Sequence, residues 1–295
     1  MRSLCLLALG LLGGCPAPDD SSPGDSEPSQ GEVPEDLSYC FFDASCPYVV
    51  GVAHRGASRH APENTFAAFD AALALGAHAV ELDVRTTSDG VLVLMHDSTV
   101  ERTTNGSGSV GEMTWAQLQA LTIPSEFDGV PDQAIPSFLE ALEHIDGRLV
   151  VDVDVKDAEG QAMAAVIQQA GVTDKVFLLT KSVDKAEAYR EADPALAIMP
   201  NLGSPEEIED YLPFEPELAE VDFLDVAEAA PGFAQHGVRL FTHGLGFESV
   251  AVGNGSIDES WQGMVVDGAQ VIQTDYPELL APFLEELNAA RAVAR

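Results

Sequence analysis

From residue 48 onward, short runs rich in Val, Ile and Leu alternate with Ala-rich stretches of helical spacing, the pattern of repeated βαβ units and a parallel sheet. The runs at 49–53, 79–84, 91–95, 148–155, 176–179, 195–199, 223–226, 238–241 and 271–273 are candidate strands. They exceed by one the number in a closed (β/α)8 barrel. The candidate extra is 91–95, because it follows 79–84 across the hairpin-like Ser88-Asp-Gly90 turn. Helix signals fall between the runs. Asn64 is placed to cap a helix with Phe66, Phe69 and Leu73 on one face, and Pro277 opens a final helix with Leu280, Leu284 and Leu287 inward. Residues 103–111 and 128–136 read as loops, and no internal repeat is visible.

The pattern is different before residue 48. Met1-Arg2, an apolar run over 4–12 and Gly13-Gly14-Cys15 give the basic start, short apolar centre and small residues of an export signal, too short to span a bilayer. Leu12-Gly-Gly-Cys15 resembles a bacterial lipoprotein processing box, although Gly13 is a less usual occupant. That resemblance implies a lipidated Cys15, a place in the cell envelope (periplasm or outer-membrane anchored), and membrane contact only through this anchor. Residues 16–47, rich at first in Pro, Ser, Asp and Glu, read as a flexible tether, leaving 48–295 as one domain.

Composition narrows the function classes. A chain of 295 residues with 46% hydrophobic content can bury one large core. Fourteen Lys and Arg against 49 Asp and Glu give a formal charge of −35, which repels nucleic acid and anionic bilayers and argues against a nucleic-acid enzyme. With Cys5 in the leader and Cys15 in the box, Cys40 and Cys46 remain. In an exported protein two close cysteines most simply form a disulfide, here pinning the tether to the domain. Metal binding is the weaker alternative, because no His or Cys cluster sits beside them.

The chemistry gathers at strand ends. Glu81 and Asp83 are two apart in a strand pattern, so they project to one side while Leu82 and Val84 face the other. Two carboxylates so placed repel each other, and a cation relieves the repulsion. An isolated E-x-D is most often a pair of solvated acids; the neighbouring segments change the balance here. His54-Arg55-Gly56 ends the first strand and His96-Asp97 ends another, offering a general acid and a general base with a guanidinium for phosphate. In Asp152-Val-Asp154-Val-Lys156 alternation puts two acids and a lysine on one face.

Together, His54-Arg-Gly-(x)5-Pro62-Glu-Asn-Thr65, Gly76-(x)4-Glu81-Leu-Asp-Val84, Thr87-x-Asp89-Gly90, His96-Asp97, Asp154-Val-Lys156 and Gln273-Thr-Asp-Tyr-Pro277 resemble the glycerophosphodiester phosphodiesterase family. The resemblance runs from about residue 49 to the end of the chain. It implies a TIM-type (β/α)8 barrel with a small insertion after the second barrel strand, and a site at the C-terminal strand ends. It implies His54 and His96 as the acid/base pair, Arg55 and Lys156 as phosphate contacts, and Glu81, Asp83 and Asp154 as ligands of a divalent cation, Ca2+ or Mg2+. Asp154 stands where the family usually has Glu. Glu63 and Asn64 are expected to orient the first loop and cap its helix, and Asp275 to support the rim.

One segment departs from the family. Where it usually has a Trp-Thr-Val-Asn-like strand end, this chain has Phe241-Thr-His-Gly244, so Phe241 is the expected aromatic wall, and His243 is either a polar contact or a loop residue. The implied activity is hydrolysis of a small-molecule glycerophosphodiester to glycerol 3-phosphate and an alcohol. The alternatives are a lysophospholipase D or sphingomyelinase D-like enzyme, which would need an apolar lip, and a noncatalytic surface lipoprotein that binds phosphodiesters or calcium.

Overall fold

A computed structural model describes residues 32–294. The leader, Cys15 and the start of the expected tether lie outside the described residues. The strands are β1 (Val50–Ala53), β2 (Ala79–Thr86), β3 (Leu92–Leu94), β4 (Val150–Val155), β5 (Val176–Thr180), β6 (Ala197–Pro200), β7 (Leu218–Glu220), β8 (Arg239–His243) and β9 (Val271–Thr274). They run in the order β6-β5-β4-β2-β1-β9-β8-β7, with β3 antiparallel on β2 and every other pairing parallel. Between β6 and β7 the contact thins to one bridge, Asn201 to Glu220, and a bond from the Leu202 amide to the Glu220 carbonyl at 2.9 Å. The eight parallel strands thus nearly close into the TIM-type barrel that the sequence implied. The strand β3 is the extra one, and it heads the insertion after β2, which has its own small core of Val93, Met95, Val100, Val110, Leu118, Ile123 and Ile135.

Strand alternation sorts the barrel into layers. Val80, Leu82 and Val84 of β2 and Val151, Val153 and Val155 of β4 point outward into the core shared with the helices. Inward, the N-terminal strand ends contribute Val50, Val52, Ala79, Val150, Phe177, Ala197, Leu218 and Val271. Higher along the same inward faces the residues become ionisable: Glu81 and Asp83 on β2, Asp152 and Asp154 on β4, Glu220 on β7. The lower layers exclude water and hold the upper ones apart from the floor.

Three expectations are corrected. The run 223–226 is not a strand. Val226 opens the helix Val226–His236, and the barrel strand is Leu218–Glu220, where an inward acid in only three residues breaks the apolar signal. Asn64 does not cap the first helix, Phe66–Ala74; Thr65 does, accepting from the Ala68 amide at 3.3 Å. Finally, the end of the expected tether is part of the barrel. Leu37, Cys40, Phe41, Cys46 and Tyr48 are buried with the lower layer, Phe41 stacks on Phe177 at 5.9 Å, and Cys40 and Cys46 are disulfide-bonded.

This plug is held by a charge that the sequence did not flag. Arg239 points inward from the bottom of β8, is fully buried, and donates to the carbonyls of Asp43 (3.1 Å), Cys46 (3.1 Å), Tyr48 (3.0 Å) and Gln270 (3.2 Å). Burial pushes its pKa down to about 10, so the guanidinium stays charged at neutral pH. Replacing it by Met would leave buried carbonyls without donors. Arg239→Met is expected to cost about 3 kcal/mol or more, read as a lower denaturant midpoint with unchanged m; an unmoved midpoint would show that the plug does not need this residue.

Candidate active site

The C-terminal ends of the strands surround a cavity of about 190 Å³, into which His54, Arg55, Glu81, Asp83, His96, Asp152, Asp154 and Lys156 project. The residues singled out in the separate sequence segments are thus brought to one place. Parallel register does much of this: on β2 and β4, Glu81 stands beside Asp152 and Asp83 beside Asp154.

Oxygens of Glu81, Asp83 and Asp154 all lie within 4.8 Å of one another. Burial, with the Asp83 carboxylate next to it, raises the Glu81 pKa well above the usual carboxylate range. Asp152 is 2% exposed, one of its oxygens has no partner, and burial followed by repulsion from Glu220 raises it as well. The compensating charges are Lys156, 2.8 Å from Asp83 and 2.5 Å from Asp154, and Arg55, 3.4 Å from Asp83. Burial works against the charge on Lys156, but the Asp83 and Asp154 carboxylates outweigh it and its pKa is raised. Carboxylates still outnumber cations here. An all-oxygen, electron-rich donor set of this kind fits a hard divalent cation.

The loop after β1 is shaped to serve this cluster. Arg55 takes a left-handed φ of 53°, and Gly56 follows at 76°, where a Cβ would fall 2.8 Å from the backbone of Ala68. The turn presents the Arg55 amide to Glu81 at 2.8 Å and its guanidinium to Glu63 at 3.1 Å. Asn64, also left-handed at 57°, is thereby freed from the helix and grips Asp83 twice: its amide donates to the carboxylate at 2.7 Å, and its oxygen accepts from the Asp83 N–H at 3.1 Å.

Each histidine has its own carboxylate. His54 Nδ1 is 2.8 Å from Asp275, whose amide is held by the buried Glu248, itself bonded to the Trp261 indole. His96 Nδ1 is 2.7 Å from Asp97, whose pKa is lowered by Arg102 first and His96 second. A carboxylate on Nδ1 fixes the proton there and leaves Nε2 for the cavity. Asp275 thus does more than support the rim.

The far wall is polar. Phe241 is fully buried and bounds the cavity from its floor, edge-on to Phe177 at 6.3 Å. Two residues further along β8, on the same face, His243 lines the cavity 3.8 Å from Glu220, which also binds Asn201. His243 is therefore a lining residue and not a loop histidine. Asp152, Lys181, Asn201 and Glu220 line the cavity without having been assigned a role from sequence; Asp152 was visible in the alternation of β4, whereas Glu220 was hidden with its strand.

Fold and site define an acid-rich (β/α)8 barrel with two carboxylate-paired histidines at its mouth. The chain belongs to the glycerophosphoryl diester phosphodiesterase family, whose sequence model matches residues 54–212. It is 46% identical over 125 residues to the mouse glycerophosphodiester phosphodiesterase 1, covering 40% of this chain and 37% of the mouse protein. It is 37% identical over 138 residues to a Caldanaerobacter subterraneus glycerophosphodiester phosphodiesterase, covering 46% of this chain and 54% of that one. The matches thus span about a third to a half of these curated relatives. Its fold is similar to the crystal structure of glycerophosphodiester phosphodiesterase from Agrobacterium tumefaciens, with a TM-score of 0.68 and 28% identity, covering 79% of this chain and 99% of that chain.

The raised pKa of Glu81 sets a sign for cation uptake. A carboxyl raised by burial and repulsion holds its proton at lower pH, and a cation must displace it. Affinity for Mg2+ or Ca2+ is expected to rise with pH, with net proton release detected by calorimetry in buffers of different ionisation heat. Uptake without proton release would remove Glu81 from the ligand set.

Proposed function

We propose that this protein hydrolyses glycerophosphodiesters, breaking the P–O bond to the alcohol to yield glycerol 3-phosphate and that alcohol. The observation that carries the reading is the pair of imidazoles, each tied at Nδ1 to a carboxylate, Asp275 at 2.8 Å and Asp97 at 2.7 Å, on the rim of a cavity lined by three clustered acids. One imidazole takes a proton from the attacking oxygen while the other, protonated, gives one to the departing alcohol; the paired carboxylates stabilise whichever ring is cationic. Arg55 and Lys156 face the phosphoryl group and offset its charge.

Glu81, Asp83 and Asp154 would hold a divalent cation, Ca2+ or Mg2+, which supplies Lewis-acid stabilisation of a phosphoryl oxygen when bound. Asp154 is one methylene shorter than the family's usual Glu, so its side chain reaches less far from β4. The small and largely polar cavity supports a deacylated diester over a lysophospholipid, and the retained histidines support turnover over mere binding. Among the described residues no helix is long and apolar enough to cross a membrane; export and anchoring at Cys15 remain part of the proposal.

His54→Ala and His96→Ala are each expected to lower kcat by about 10²- to 10⁴-fold with an unchanged circular dichroism spectrum, assayed as glycerol 3-phosphate release from glycerophosphocholine and glycerophosphoethanolamine. Near-normal turnover by either variant would sink the acid/base assignment. A chelator is expected to remove activity that added Ca2+ or Mg2+ restores; hydrolysis that resists chelation would rule out the cation.

A further inference from the structure

The two histidines are anchored by different means. His54 ends β1, and its carboxylate partner, Asp275, follows the neighbouring barrel strand β9. His96 follows β3, which has three residues and lies off the barrel, and its partner Asp97 is its own chain neighbour. The backbone before the pair is tied to β2, by the β3 ladder and by the Met95 amide on the Asp83 carbonyl at 3.0 Å, but a ring whose partner is its own chain neighbour gains from that partner no tie to another segment. Arg85 of β2 secures the His96 backbone, donating to its carbonyl at 3.0 and 2.8 Å, but does not reach the ring.

Arg102, in the insertion, supplies the missing tie. Its Nε donates to Asp97 at 2.5 Å, on the oxygen that His96 does not use, and its two terminal nitrogens donate to Glu63 at 2.7 and 2.8 Å. Glu63 in turn accepts from Arg55 at 3.1 Å. A planar guanidinium has the fork needed to bind both carboxylates at once, which an ammonium lacks. The result is an unbroken line from His96 through Asp97, Arg102 and Glu63 to Arg55, joining the insertion to the loop after β1. Burial opposes the charge on Glu63, but Arg102 and Arg55 outweigh it and its pKa is lowered.

We propose that Arg102 is a positioning residue for the reaction: it orients the His96 imidazole through Asp97 and the Arg55 guanidinium through Glu63, setting the proton-transfer group and the phosphate contact in one frame. The kinetic part rests on the function proposed above; the orientation of the ring does not.

The test has a spectroscopic arm and a kinetic one. In protein labelled with 15N at histidine, His96 is expected to show a single tautomer with the proton on Nδ1, and R102Q to show averaging between tautomers, with His54 unchanged. Misplacing the two groups is expected to lower kcat by about 10- to 100-fold and raise KM several-fold. Acting through its partners, R102Q should cause no further kcat loss in a D97N background and no further KM rise in an E63Q background. Unchanged His96 nitrogen shifts in R102Q, or losses that simply multiply in both backgrounds, would overturn the proposal. Should R102Q fail to fold, R102K is measured in the same way, since its ammonium cannot span Asp97 and Glu63. A wild type inert toward every diester would defeat the function proposed above, and the nitrogen shifts would then decide the role of Arg102.

Discussion

The structure turns on one electrostatic constraint: four carboxylates, Glu81, Asp83, Asp152 and Asp154, are crowded into the mouth of a barrel, and the first three are buried from water. Desolvated like charges destabilise a fold unless something fixed and positive, or a proton, stands between them. Rigid parallel strands are suited to the task, because the backbone ladder holds the acids together at a register that their repulsion cannot undo. The rest of the mouth follows: Lys156 between two acids, the Arg55 amide on Glu81, and Asn64 clamped to both ends of Asp83.

A second constraint lies at the other end. A barrel open at its floor would wet the lower layer and weaken the low-dielectric setting of the site. The segment from Leu37 to Tyr48 closes it, with a disulfide and the Arg239 fork holding it in place. The aromatic series Phe41, Phe177, Phe241 runs from this plug to the underside of the cavity, so plug and active site share one packed column.

Much of this was legible in the sequence where a period of two met a change from apolar to charged. Glu81-Leu-Asp83 and Asp152-Val-Asp154-Val-Lys156 announced both their strands and their inward faces. Residues whose meaning depends on a distant partner were not legible. Arg102 matters because Asp97 and Glu63 come together around it, Asn64 because a left-handed turn swings it toward β2, and Arg239 because a segment that reads as tether folds beneath it. The strand carrying Glu220 was misplaced by a few residues for a related reason: an inward acid looks like a loop until the acid-rich interior is known.

The thin contact between β6 and β7 acquires a meaning from where it lies. The one bridge that completes the circle of strands is made by Asn201 and Glu220, and the side chains of the same two residues meet in the wall of the cavity. The seam of the barrel and the wall of the pocket are therefore one object. By linkage, whatever gains free energy by touching either side chain in the closed form also adds to the free energy of closure. The least cross-braced part of the sheet is the part that an occupant would stitch.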